Sequence, residues 1–159
     1  MDILVVLEDS QGSLHRLSKE AIAAAQQIGG EVAAIAIGDN ASELADELNT
    51  YNLSEVIIVK NKLVSSYNAD GYAEVLKQVI DTEKPKIIVA GHTYQTRDFI
   101  PRVSAKLNIP FIPDIVSLLD KGFVKQVLNA KLNAIITSSQ DQMIISFQCA
   151  AFNEENIQP

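Results

Sequence analysis

A chain of 159 residues is long enough for one domain with a hydrophobic core of its own. Its 47% hydrophobic and 21% charged residues have the balance of a soluble globular fold. A formal net charge of -7 and a pI of about 4.7 leave no basic field to hold a phosphate backbone, which excludes nucleic acid as a partner. One cysteine, Cys149, allows no internal disulfide. The opening Met1-Asp2 is not a basic leader, and no apolar run nears the roughly 20 residues of a membrane helix, so a cytoplasmic protein away from the membrane is expected.

Residues 3–7 are an unbroken apolar run, as a strand buried on both faces requires. Residues 8–13 read as a polar loop with a turn glycine, Gly12. Leu14, Leu17, Ala21, Ala24, Ala25 and Ile28 then recur at helical spacing, with Ser13 as the expected cap and Gly29-Gly30 as the stop. Residues 32–37 form a second apolar strand, Ala41, Leu44, Ala45 and Leu48 line a short helix, and residues 56–59 form a third strand. Tyr72, Val75, Leu76, Val79 and Ile80 mark a helix that ends at Lys84-Pro85. Residues 87–90 are the fourth strand, followed by a polar loop and an amphipathic helix carrying Arg97 and Arg102.

Four such β-α units predict a Rossmann-like three-layer α/β/α fold around a mainly parallel sheet. After Pro113 the rhythm changes. Residues 115–119, 123–128, 132–137 and 143–147 are strand-like, and the short segments Asp120-Lys121-Gly122 and Ser138-Ser139-Gln140-Asp141 read as hairpin turns. An antiparallel meander at the C-terminal end is the expectation. Residues 1–152 are expected to be a single α/β domain, and residues 153–159 a frayed polar tail or the start of a linker.

Few residues suggest chemistry. A phosphate cradle needs glycines that let backbone N–H groups approach, yet the first loop offers only Gly12 behind the carboxylates Glu8 and Asp9, and the fourth only Gly91. His15, His92 and Cys149 lack metal-ligand spacing, and Cys149 reads as a small buried apolar residue. No nucleophile elbow or assignable carboxylate pair is present, so no catalytic residue is expected. The carboxyl end of the fourth strand is the exception. His92, Thr93, Arg97 and Asp98 lie where α/β proteins receive ligands, which makes them candidates for facing a cofactor or a partner. Asp98 and Arg102 are spaced i,i+4 and are expected to form a structural ion pair.

The residues Ile3-Leu4-Val5-Val6-Leu7-Glu8, Gly29-Gly30-Glu31-Val32, Pro85-Lys86-Ile87-Ile88-Val89-Ala90, Arg97-Asp98-Phe99-Ile100-Pro101-Arg102-Val103-Ser104-Ala105-Lys106-Leu107 and Asp114-Ile115-Val116 resemble, in register, the amino-terminal domain of the electron-transfer flavoprotein alpha subunit. That resemblance implies an electron carrier that pairs with a beta subunit and holds FAD mainly in a second, carboxy-terminal domain, which would begin where this sequence stops. Ala130 stands where the family's glycine is usual, and Gln148-Cys149-Ala150 where it has an arginine-proline-glycine-like ending. The glycine usual before Arg97 is missing. The resemblance thus implies FAD in the full assembly, none bound to this chain alone, and self-association when the chain is isolated. The rival reading is a free-standing, universal-stress-like nucleotide-binding module, and a third is a small hydrolase of the related nucleotide fold.

Overall fold

The computed structural model describes all 159 residues. The first strand, β1 (Ile3–Val6), is buried on both faces, which is why its sequence is apolar without alternation. The expected polar loop after it is a small hairpin, β2 (Asp9–Ser10) and β3 (Ser13–Leu14), turning through Gln11 and Gly12, both at positive φ. Helix α1 (Arg16–Ile28) is capped by His15, whose Nδ1 accepts the Leu17 N–H at 3.0 Å. Ser13, the expected cap, is instead held in β3, two residues too early. Next come β4 (Val32–Ile37), α2 (Ala41–Asp46), β5 (Val56–Val59), α3 (Ala69–Glu83), β6 (Ile87–Gly91) and α4 (Tyr94–Leu107). The chain then forms β7 (Phe111–Leu119), β8 (Gly122–Val127), β9 (Leu132–Ile136) and β10 (Met143–Phe147).

The large sheet has the order β5-β4-β1-β6-β10-β7-β8-β9, parallel from β5 through β7 and antiparallel beyond. The meander therefore has three strands, not four. β10 does not pair with β9. It returns to the centre and lies parallel between β6 and β7, so residues 138–141 are a crossover rather than a hairpin turn. Burial drives that placement: Ile144, Ile145, Ser146 and Phe147 are fully buried, whereas β8 and β9 hold no buried residue. β7 begins before Pro113 and kinks at Asp114, which sits at φ +66 opposite a register shift in β10.

Two apolar layers flank the sheet. Ile3 and Val5 of β1 pack with Ala21, Ala24 and Ala25 of α1 and Leu44 of α2, and Leu48 just past α2 joins them. Leu4 and Val6 pack on the other face with Leu76 and Ile80 of α3 and Phe99, Ile100 and Val103 of α4. The last residues, expected to fray, are docked on α1. Phe152 meets Phe147 edge to face with centroids 4.8 Å apart, and Gln158 exchanges hydrogen bonds with the Gln26 side chain at 2.7 and 3.2 Å. Cys149, expected to be buried, is exposed in the turn that leads into this segment.

Candidate functional site

β1 sends its crossover helix α1 toward β4, whereas β6 sends α4 the opposite way toward β7. The crevice between the carboxyl ends of β1 and β6 is therefore the switch point at which open α/β sheets receive ligands. Gly91, at the end of β6, is packed too closely for any side chain: a Cβ there would lie 2.4 Å from the Leu17 Cβ of α1. Thr93 caps α4, its Oγ1 accepting the Thr96 N–H at 3.0 Å. The Thr93 hydroxyl in turn donates to Glu8 Oε2 across the crevice. The Glu8 backbone is fixed as well: its N–H donates to the buried Ser18 Oγ at 2.9 Å, and its carbonyl accepts the His15 N–H at 2.9 Å. The Glu8 carboxylate thus links the carboxyl end of β1 to the start of α4.

His92 lies on the β10 side of this crevice. Its Nδ1 is 2.8 Å from the hydroxyl of Ser146, a fully buried residue of β10, and Ser146 Oγ also accepts the Asp114 N–H at 3.2 Å. One serine thereby joins β6, β10 and the kink in β7. Burial pushes the His92 pKa down; Asp114 opposes this, and Arg97 and Lys125 add to it. Arg97 is exposed on the first turn of α4, with its guanidinium 5.6 Å from the centre of the exposed Tyr94 ring and no carboxylate within ion-pair distance.

Asp98 is engaged by Tyr67 and Arg102 rather than by Glu8, Thr93 or His92. It accepts the Tyr67 hydroxyl at 2.6 Å and lies 3.8 Å from Arg102, whose closer carboxylate is Asp70 of α3 at 2.9 Å. Burial and then the Asp98 hydrogen bond push the Tyr67 phenol well above its ordinary range. His92, Thr93 and Arg97 therefore gather at the strand ends, while Asp98 and Arg102 brace α4 against α3. Ser146, Asp70 and Tyr67 carried no local signal in the sequence, because each acts on a partner more than 30 residues away.

Beside the switch point a cleft of about 390 Å³ is lined by Asp9, Gly38, Asp39, Asn40, Tyr67 and Tyr72, among others. Asp9 is satisfied within the chain by the Gly12 N–H at 2.7 Å and Asn40 Nδ2 at 2.8 Å. Burial, and then the carboxylates of Asp9, Glu8 and Asp39, push the Tyr72 phenol up. This end of the sheet is electronegative, and no lysine or arginine lines the cleft. Its residues do not fit the pyrophosphate of FAD, since Asp9 and Asp39 would face it with no cation opposite. No group of three or more His, Cys, Asp or Glu side chains is placed to hold a metal ion.

A family model described as the electron transfer flavoprotein domain matches residues 3–159. This chain belongs to that family. It is 32% identical over 162 residues to an electron transfer flavoprotein subunit alpha of Bacillus subtilis, covering 98% of this chain and 48% of the relative. The alpha subunit of Clostridium acetobutylicum is 29% identical over 120 residues, covering 73% of this chain and 36% of the relative. A protein named acryloyl-CoA reductase electron transfer subunit beta, from Anaerotignum propionicum, is 32% identical over 121 residues, covering 74% of this chain and 33% of the relative. The chain spans about half or less of the length of these relatives, and its match is consistent with the amino-terminal domain of an electron transfer flavoprotein alpha subunit. No helix is long and apolar enough to cross a membrane.

Proposed function

We propose that this chain is the non-flavin scaffold domain of an electron transfer flavoprotein alpha subunit. It performs no catalysis itself. It assembles with a beta subunit and positions an FAD-bearing domain, so that electrons pass between dehydrogenases and an acceptor. Residues 1–152 act as one α/β unit, against which the segment 153–159 packs through Ile157 and Gln158.

The observation that carries this reading is the uncovered meander. Phe123 and Ile136 reach the α1-side core, but neither β8 nor β9 holds a buried residue, and Leu119, Leu128, Leu132 and Ile135 are 49%, 68%, 56% and 67% exposed. β9 is also a free sheet edge. The same stretch carries Lys121, Lys125 and Lys131 against Asp120, a local positive balance on a chain of net charge -7. An apolar, locally basic sheet edge suits a protein partner rather than solvent.

The experiment is co-purification with a cognate beta subunit and flavin domain. The wild type is expected to enter a yellow complex, and Leu132→Lys with Ile135→Lys to remain folded but outside it. A wild-type chain that never enters the complex, or a double variant that enters it normally, overturns the reading.

A further inference from the structure

We infer that residues 149–158 form a strap that opens and closes on α1 as one unit while the sheet stays folded. The buried carboxylate of Glu20 anchors one end of it and the side chain of Gln26 the other.

This segment is held differently from the sheet. Gln148 makes the last main-chain bond to a strand, its N–H donating to the Ile115 carbonyl at 2.9 Å. Beyond it no strand is paired. The Ala150 N–H donates to Glu20 Oε2 at 2.7 Å and the Gln158 N–H to Gln26 Oε1 at 2.7 Å, while the Asn52 N–H donates to the Gln158 carbonyl at 2.9 Å. Both anchoring side chains belong to α1, and only a single turn of 3₁₀ helix, Glu154–Asn156, lies between the two anchored ends. The apolar grip rests on Phe152 against Phe147 and on Ile157. No strap residue is buried, although Glu20 and Phe147, to which it binds, are each 1% exposed. A cavity of about 580 Å³ lies between the strap, α1 and β7, bounded by Phe152, Gln27 and Leu118, so the packing that closes the strap is incomplete.

Two features of the closed position favour release. Glu20 Oε1 has no aligned hydrogen bond, its neighbour at 3.0 Å being Nε of the largely exposed Arg16, and opening returns this buried charge to water. Ala150 is held at φ +62, and opening relaxes that backbone. Few anchors set against these two penalties place the opening well below the unfolding of the sheet in free energy. Anchors at both ends also distinguish a unit from a fraying tail, because loosening one end frees the other. The inference needs only the isolated chain and stands or falls separately from the assembly described above.

The experiment is native-state hydrogen exchange on the whole chain, followed by NMR. It reads the amides of Ala150, Gln158 and Asn52, with Val5 of β1 and Ile145 of β10 as references. In the wild type the three strap amides are expected to exchange through one shared opening, at least roughly a hundredfold faster than the references and with little dependence on low urea. Gln26→Ala lies at a half-buried helix position that suits alanine. It is expected to speed exchange at Ala150, anchored at the far end, by about tenfold and to leave the references unchanged. Glu20→Ala is expected to act in the same way on Gln158 and Asn52. If Glu20→Ala does not fold, Gln26→Ala decides alone, because it is read at the amide that Glu20 holds. If the wild-type strap amides exchange as slowly as Val5, or if each substitution speeds only the amide bonded to the replaced side chain, the segment is either part of the core or frays piecemeal, and the inference is overturned.

Discussion

Burial holds the His92 imidazole below the ordinary histidine value of about 6.5, so its neutral form is favoured in the folded chain. The unfolded chain then binds a proton at His92 more readily than the folded one. The stability that His92 contributes is present in full above about pH 6.5, and is lost as the pH falls from there through the lower folded value. Denaturant midpoints measured from about pH 7.5 to about pH 5 should fall more steeply for the wild type than for His92→Gln. Parallel profiles would show that His92 titrates as if free. The two arginines of α4 separate in the same kind of measurement. Arg97 has no carboxylate partner, so Arg97→Ala should alter stability by less than about 0.5 kcal/mol and instead weaken assembly with the beta subunit and flavin domain. Arg102 links Asp70 and Asp98 at an exposed surface, and Arg102→Ala should cost about 0.5–1 kcal/mol. A larger stability loss for Arg97→Ala, with assembly intact, would reverse those roles.

At the scale of elements, what could be read from the sequence followed the range of the forces involved. The strands and helices of the parallel half were legible because each is set by its own local apolar pattern, an unbroken run in residues 3–6 and helical spacing in 69–83. β10 was not. Residues 143–147 look like one more hairpin strand when read beside 132–136, and only the vacancy between β6 and β7 draws them into the centre. The Ser146–His92 contact follows from that insertion and was hidden with it. Two alanines were legible as departures from the family pattern, and both adopt the left-handed backbone that favours glycine: Ala130 at φ +61 and Ala150 at φ +62. Each L-residue there carries strain of about 1 kcal/mol. Ala130→Gly should therefore stabilise the chain by roughly 0.5–1 kcal/mol in urea unfolding, the turn between β8 and β9 being otherwise unchanged. Ala150→Gly should do the same while the Ala150 N–H keeps its 2.7 Å bond to Glu20 Oε2. Destabilisation by either would mean that the methyl group packs in a way that outweighs its backbone strain. Gly91→Ala has the opposite sign. The close approach of Leu17 makes it an overpacking change expected to cost about 1–3 kcal/mol.

At the scale of the whole molecule, the parallel half has helices on both faces, while the meander projects beyond them. Folding and assembly are therefore separable. The core layers built on β1, β4, β6 and β10 do not need the exposed side chains of β9. In isolation the meander keeps its apolar groups in water and its edge N–H and C=O groups unpaired by another strand, and the opposite edge strand, β5, is more protected by its neighbours. The isolated chain should therefore self-associate through β9. Light scattering over a concentration series should show a rising average mass, and Leu132→Lys with Ile135→Lys should move that rise to concentrations at least roughly tenfold higher, a change of about 1.4 kcal/mol. Because both side chains are more than half exposed, the substitutions should leave the urea midpoint nearly unchanged. A wild type that stays monomeric at high concentration would remove the meander as an adhesive surface. Association that survives the double substitution would place the contact elsewhere, with the groove along α1 and β7, lined by Gln27 and Leu118, the next surface to test.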